Sequence, residues 1–351
     1  AASTASAAGY TVDYSCRFND NDSAKLEHTT GGTPTDASKG VFGTWFKRGN
    51  LAQTSALVAG QSERQWLYLD TTDRIEVVDD AYAVLETNLV MRDPTAWYHI
   101  IMSYDSDEAA GVDRLRIWLN GVEITSWSTD SRSNITSGEA WGLTVDAETK
   151  VVGALSTVHF WDGYLAQTFL IDGTSIQNGD HAITAFGEFD TNGVWRPIDV
   201  TGLTFGTNGW LLDYADSSDL GNDISGNSND FTSSGLAADD QVADTPTNNY
   251  CTYSSVGLWQ SSLANGNLEV NPSPTGSAAA TMSMSSGKWY WELTRSGGTF
   301  NACTMYVSQN NTLFMKANIH GDATGEIGNF SGYFSYNGNV LEQDTAYPGR
   351  A

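Results

Sequence analysis

Basic residues, cysteines and long apolar runs are scarce in this chain, and each scarcity removes a class of function. Lysine and arginine together number 17 against 42 aspartates and glutamates, a net charge of −25 over 351 residues. A surface of that sign repels phosphate backbones and anionic lipid headgroups, so neither nucleic acid nor a membrane surface is expected as a partner. Solubility in a salty medium, where screening lowers the self-repulsion, accounts for the acidity; attraction of divalent cations or of a basic partner surface is the sharper reading. Cys16, Cys251 and Cys303 stand alone without CxxC spacing, which indicates neither a disulfide framework nor a zinc site. All three are expected as small buried hydrophobes. No apolar stretch approaches the ~20 residues that cross a bilayer, and the first residues carry neither a basic n-region nor an apolar h-region. Membrane insertion and signal-peptide export are therefore not expected. The opening AASTASAAG is small and polar, has no initiator Met, and reads as a processed end or the tail of a longer upstream region.

Helical repeats and catalytic signatures are missing too. There are no Glu/Lys/Ala-rich stretches of a bundle or coiled coil, no Gly-x-Ser-x-Gly elbow, phosphate loop or HExxH, and the five histidines are scattered. What is present instead is β-structure. Trp97-Tyr98-His99-Ile100-Ile101-Met102-Ser103-Tyr104 reads as a buried strand, and Leu115-Arg116-Ile117-Trp118-Leu119-Asn120-Gly121-Val122-Glu123-Ile124 as a hairpin. Asn-Gly between alternating runs suits a type I′ turn, which needs φ > 0 at both central positions. Further strands are expected at 41–47, 67–70, 74–78, 150–153 and 164–171, and one at 122–127. Abundant glycine and short runs punctuated by Gly, Asn, Asp and Ser argue for sandwiches.

The wording of these segments is more specific than their periodicity. WYHIIMSYD and LRIWLNGVEI, with Phe42-Gly43-Thr44-Trp45-Phe46-Lys47-Arg48-Gly49-Asn50 upstream and Phe160-Trp161-Asp162-Gly163-Tyr164-Leu165-Ala166 downstream, resemble the laminin-G/pentraxin-like branch of the concanavalin A-like jelly rolls. That resemblance covers about residues 14–172. A second begins at Asp244-Thr245-Pro246-Thr247-Asn248-Asn249-Tyr250-Cys251, continues through Leu263-Ala264-Asn265-Gly266-Asn267-Leu268, and reaches Ser286-Gly287-Lys288-Trp289-Tyr290-Trp291-Glu292-Leu293. It is similar to the SPRY-like module that follows a lectin-like domain in structural proteins of tailed bacteriophages, though the remainder is short for a complete SPRY sandwich.

These readings give an all-β chain: a polar extension over 1–9, a jelly-roll sandwich over 10–179, a connector of short strands and an Asp/Asn/Gly-rich loop over 180–249, and a second, partial β-sandwich over 250–351. In the connector, Phe186-Gly187-Glu188-Phe189-Asp190, Val194-Trp195-Arg196-Pro197 and Gly209-Trp210-Leu211-Leu212-Asp213-Tyr214 are expected as short strands or aromatic anchors, and 216–240 as a long loop or string of turns. Alternation in 288–294 and the Asn337-Gly338 pair mark strands and a hairpin in the last region.

Few residues suggest chemistry. Glu188-Phe189-Asp190 resembles the start of the ExDxxE strand of jelly-roll glucanases, but position 193 is glycine, so no complete carboxylate set exists and no catalytic residue is assigned. Asp213, Asp216, Asp219, Asn222 and Asp223 gather hard oxygen ligands of the type Ca²⁺ prefers, without EF-hand spacing; Asx-turns explain the same residues without metal. No cofactor is required, and calcium is the one considered. Trp66, Trp127, Trp141 and Trp161 fall near strand ends or loops and are candidates to stack a sugar face, with Asp105, Asp107 and Asp113 of the neighbouring acidic loop as hydroxyl acceptors. Ordinary core packing and solvation are the alternatives for each. The resemblance implies a non-enzymatic virion component made in the host cytoplasm: a tail fibre, tail appendage or capsid-surface fibre or decoration. It implies other virion proteins and a host glycan as partners and a homo-oligomer such as a trimer; a glycan-processing enzyme on the same scaffold is the other class.

Overall fold

The computed structural model describes residues 9–60, 65–79, 82–282, 303–304, 314–321, 327–336 and 339–343. The chain divides into two units, Ser3–Thr281 and Met282–Ala351. It is all-β, and among the described residues the only helical elements are five short 3-10 turns.

The strands of the first unit are β1 (Ser15–Phe18), β2 (Lys25–Thr29), β3 (Lys39–Arg48), β4 (Ser55–Gly60), β5 (Trp66–Leu69), β6 (Arg74–Asp79), β7 (Tyr82–Val90), β8 (Trp97–Asp105) and β9 (Leu115–Leu119). They continue with β10 (Val122–Glu123), β11 (Trp127–Asp130), β12 (Thr149–Val152), β13 (Gly163–Asp172), β14 (Glu188–Phe189), β15 (Trp195–Arg196), β16 (Trp210–Leu212), β17 (Thr232–Ser234) and β18 (Gln241–Val242). A hairpin of β19 (Tyr253–Ala264) and β20 (Glu269–Ala280) ends the unit. One sheet runs β10-β9-β8-β3-β13-β1-β18, with β16 also paired to β13; the other runs β11-β7-β6-β5-β4-β12-β2-β17.

Period-2 alternation builds the core between them. Phe42, Phe46, Ile100, Met102 and Ile117 of the first sheet meet Leu57, Leu67, Leu69, Ile75 and Val77 of the second in one buried cluster. Each such side chain, fully removed from water, contributes roughly 1.5–3 kcal/mol. The other side of the first sheet is buried as well. Val41, Ile101, Trp118, Phe169 and Ile171 are roofed by Phe186, Val200 and Phe205 of the segment after β13, and Trp45 packs with Val12 and Trp195. That is why β3 and β13 are buried along nearly their whole length, whereas β5 and β6 alternate.

The Asn-Gly hairpin is confirmed, with φ of 48° at Asn120 and 76° at Gly121. A side chain at Gly121 would also lie 2.4 Å from the Trp195 ring, so turn conformation and packing both require glycine there. The expected strand at 122–127 is corrected. It breaks after Glu123, and Trp127 begins a strand of the opposite sheet, paired to β7.

The segment read as a connector is woven into the sandwich: β16 pairs with β13, β17 with β2, and β18 with β1. Its Asx-rich part is a string of turns, with Asn227 and Asn229 side chains both donating to the Gly209 carbonyl. The β19–β20 hairpin also contacts the sandwich. Tyr164 Oη donates to the Gly266 carbonyl at 2.6 Å and Ser255 Oγ to the Gly49 carbonyl at 2.8 Å. Cys16 is buried as expected, but Cys251 is exposed, because the chain there runs over the surface into β19.

The second unit contributes β21 (Cys303–Thr304), β22 (Phe314–Gly321), β23 (Ile327–Tyr336) and β24 (Asn339–Gln343), a four-stranded antiparallel sheet in sequence order. Tyr336 pairs with Asn339. The Asn337-Gly338 pair and the expected strand at 288–294 lie outside the described residues.

Candidate functional site

At β5 and β6 the outer face of the second sheet forms no apolar cluster of the kind that roofs the first, among the described residues. Since Leu67, Leu69, Ile75 and Val77 point into the core, Trp66, Tyr68, Arg74 and Glu76 point outward, where all four are half-buried. Register places Tyr68 opposite Glu76, Glu76 opposite Glu86, and Glu86 opposite Thr129. Directly paired residues have Cβ atoms ~4.5–5.5 Å apart. A row of phenol, two carboxylates and a hydroxyl thus crosses four strands, with the Trp66 indole two residues from Tyr68 on the same face.

Like charges opposite one another are unfavourable, and the neighbours of this pair offset that. Arg74 Nη1 donates to Glu86 Oε1 at 2.8 Å, and Thr129 Oγ1 to Glu86 Oε2 at 3.3 Å. Burial raises the Glu76 carboxyl above its ordinary range, Asp70 and Glu86 push the same way, and the Tyr68 hydrogen bond opposes them. Burial, and after it that hydrogen bond, holds the Tyr68 hydroxyl protonated far above its usual range. The face therefore offers flat aromatic surface beside oriented donors and acceptors, which is the combination that stacks a sugar ring and fixes its hydroxyls.

Of the residues singled out in the sequence, Trp66 lies on this face. Trp127 is half-buried at the sheet edge with the Arg132 guanidinium 5.4 Å over its ring. Trp141 and Trp161 are corrected: both are at most 1% exposed. Trp141 stacks on Tyr104 at 5.5 Å, and Trp161 meets Phe46 edge-on at 5.6 Å, so neither presents a face to solvent. Asp105 is also buried, accepting from Ser175 Oγ at 2.6 Å. Asp107 takes Ser38 Oγ at 3.0 Å and faces Lys39, and Asp113 pairs with Arg116. The structure does not bring these acids to Trp66.

In the Asx loop each aspartate accepts from backbone N–H groups, most of them in its own turn. Asp213 accepts from Ala215 N, Asp216 from Ser218, and Asp219 from Gly221 N. Asp223 accepts from Leu211 N, Ser225 N and Asn229 N. Asn222 N donates to the Asp219 carbonyl. Among the described residues no group of three or more His, Cys, Asp or Glu side chains is placed to hold a metal ion. Asp190 likewise accepts from Asn192 N and Val194 N and pairs with Arg196, with Glu188 exposed on the same ribbon. Sequence reasoning missed Tyr68, Arg74, Glu76 and Glu86, although the i, i+2 spacing of Trp66 with Tyr68 and of Arg74 with Glu76 was the signal for a shared outward face.

Fold and face together define an antiparallel β-sandwich roofed by apolar side chains on one side and lined by half-buried polar and aromatic side chains at β5 and β6 on the other. No family model and no curated relative matches the chain. Among solved structures it is similar to a protein from Bacteroides ovatus assigned to carbohydrate binding, at 13% identity and a TM-score of 0.41, covering 64% of this chain and 58% of that one. It is also similar to the heptameric SAP-like pentraxin of Limulus polyphemus, at 11% identity and a TM-score of 0.37, covering 56% of this chain and 100% of that one. The sialidase CBM40 of Ruminococcus gnavus, solved with a sialyllactose, matches at 14% identity and a TM-score of 0.26, covering 40% and 85%.

Proposed function

We propose that the chain is a structural and adhesive component of a tailed-phage virion, whose sandwich holds a host-surface glycan on the open face of its second sheet. The observation that carries the glycan part is the contrast between the two outer faces: one is roofed by apolar side chains, and the other brings the half-buried Trp66, Tyr68, Glu76 and Glu86 together, the last three in one register. The virion part rests on the sequence resemblance. Lys47 of the lectin-like KRGN segment is bridged to Asp244 of the phage-like DTPTNNY segment, so the two stretches fold as one unit. A weak single site suits a particle that displays many copies, since multivalency raises avidity by about 10²–10⁴ without new contacts.

The experiment has two arms. Mass spectrometry of purified particles is expected to find the chain in repeated copies; its absence from virions would remove the structural reading. On a glycan array, Tyr68→Ala and Trp66→Ala are expected to weaken the best ligand about tenfold or more, and unchanged binding would remove the face. A glycan-processing enzyme is the second reading, favoured by Glu76 and Glu86 standing opposite one another in register, because glycosidases work with a pair of carboxyl groups. Release of reducing ends that vanishes in Glu76→Gln would establish it.

A further inference from the structure

Lys47 stands in an arrangement that an ion pair alone does not require. Its side chain is fully buried on β3, and Nζ donates at 2.8 Å to two side chains of one downstream segment, Asp244 through Oδ2 and Asn249 through Oδ1. The Tyr250 carbonyl accepts a third bond, also at 2.8 Å. A carboxylate by itself would balance the charge. The amide adds an electrophilic carbon, one bond beyond the oxygen that Nζ touches. Lys150, equally buried, donates instead to the main-chain carbonyls of Gly142 and Val145.

The three groups are each held by neighbours. Asp244 Oδ1 accepts from Trp97 Nε1 at 3.0 Å and from Tyr250 N at 3.2 Å, which leaves Oδ2 to face the lysine. Asn249 Nδ2 donates to the Thr95 carbonyl at 2.7 Å, so the amide oxygen turns toward Nζ and its nitrogen lies away from it, on an exposed residue. Burial lowers the Lys47 ammonium below its ordinary range, against the opposing pull of Asp244. A desolvated lysine with a proton acceptor beside it is an activated nucleophile. Holding it in contact with its target replaces a rare encounter by an intramolecular step, with effective molarities that reach ~10⁵–10⁸ M in well-oriented cases.

We propose that Lys47 and Asn249 condense into an intramolecular isopeptide bond, with Asp244 carrying a proton between them. Lys47 Nζ passes one proton to Asp244 Oδ2 and, as the amine, attacks Asn249 Cγ to form the Nζ–Cγ bond. A second proton leaves Nζ for Nδ2, the Cγ–Nδ2 bond breaks, and Asp244 returns its proton to the departing nitrogen. Ammonium is released to the solvent side, Asp244 ends as the carboxylate it began as, and nothing is oxidised or reduced. The link would staple β3 to the segment after β18, 202 residues on, and it stands independently of where a glycan binds.

The test is mass spectrometry of the purified full chain. The folded protein is expected to weigh one ammonia less than its sequence, and proteolysis to give a branched peptide joining Lys47 to Asn249. Asn249→Ala, a change at an exposed residue, should restore the sequence mass in a folded chain. Asp244→Ala should slow bond formation on refolding from denaturant about a hundredfold or more; if that variant does not fold, the wild-type chain and Asn249→Ala decide. Stability measured in the Asn249→Ala background then reads the ion pair without the link. A folded wild-type chain that stays at its sequence mass would overturn the proposal. So would a loss of ammonia without the branched peptide, the mark of a succinimide, or a loss that survives Asn249→Ala.

Discussion

Replacing Asp244 with alanine tests whether the segment from 244 to 281 is held to the sandwich by one buried charge pair. Lys47 is fully buried on β3, and its ammonium donates to Asp244 Oδ2, Asn249 Oδ1 and the Tyr250 carbonyl, each at 2.8 Å. Asp244 Oδ1 accepts from Trp97 Nε1 at 3.0 Å and from Tyr250 N at 3.2 Å. Burial lowers the Lys47 ammonium below its ordinary range, and Asp244 is the main group opposing that. Without the carboxylate a buried ammonium keeps only neutral acceptors, and two N–H groups lose theirs. Breaking a buried pair from one side costs about 3–5 kcal/mol. For a unit of this size each kcal/mol moves Tm by about 2–4 °C, so a fall on the order of 10 °C is expected in calorimetry. Asp244→Asn should not rescue it, because one amide nitrogen would then face a donor. The double variant Lys47→Met/Asp244→Ala removes the stranded charge and should recover part of the loss, giving a measurable coupling in urea unfolding. A loss below about 1 kcal/mol for Asp244→Ala would place the pair with ordinary surface bridges and refute the reasoning.

Two further outcomes follow from other buried or acidic groups. Burial, and next to it Asp20, pushes the Asp162 carboxyl up to about 8. The folded state therefore holds a proton that the unfolded chain releases near pH 4, and this contribution to stability, complete below the unfolded value, should fade as pH rises toward 8. Asp162→Asn should flatten that slope in denaturant titrations; an unchanged slope would assign it elsewhere. Chelation of calcium by EDTA should leave Tm unchanged, since the Asx-loop carboxylates already accept backbone and hydroxyl donors; a fall of several degrees would reveal a stabilising ion.

The legible parts of the sequence were those where local chemistry and tertiary role agree. The alternation of 97–104 and 115–119 and the Asn120-Gly121 turn sufficed to place β8 and β9, because one face of each is core and the turn type admits few residues. Strand β4 was missed: Ser-Ala-Leu-Val-Ala-Gly is buried throughout, so it shows no alternation, and its small residues carry weak strand preference. The connector's aromatic anchors were recognised, but not that β16, β17 and β18 complete both sheets, since two- and three-residue strands are defined by partners far away in sequence. For the site, indole position near strand ends misled. Trp141 and Trp161 lie outside strands, yet neighbours such as Tyr104 and Phe46 bury them, whereas Trp66 on a strand faces outward. Exposure there follows from which side of the sheet is roofed, and the roof lies more than a hundred residues downstream.

The pairing of β1 with β18 has a mechanical consequence. Ser15 lies opposite Val242 and Cys16 opposite Gln241, antiparallel, so the chain enters and leaves the sandwich side by side. Tension between the preceding and following segments reaches this edge as a peeling force that opens one rung at a time, and only two rungs are available. Beyond Val242 the next attachment is Asp244 on Lys47, which sits on β3 in the interior of the sheet. Force arriving from the C-terminal side meets the hairpin's bonds to Tyr164 and Gly49 first and then Asp244 on Lys47, so it is delivered to the central strands before it can unravel the edge, and the sandwich hangs from its own middle.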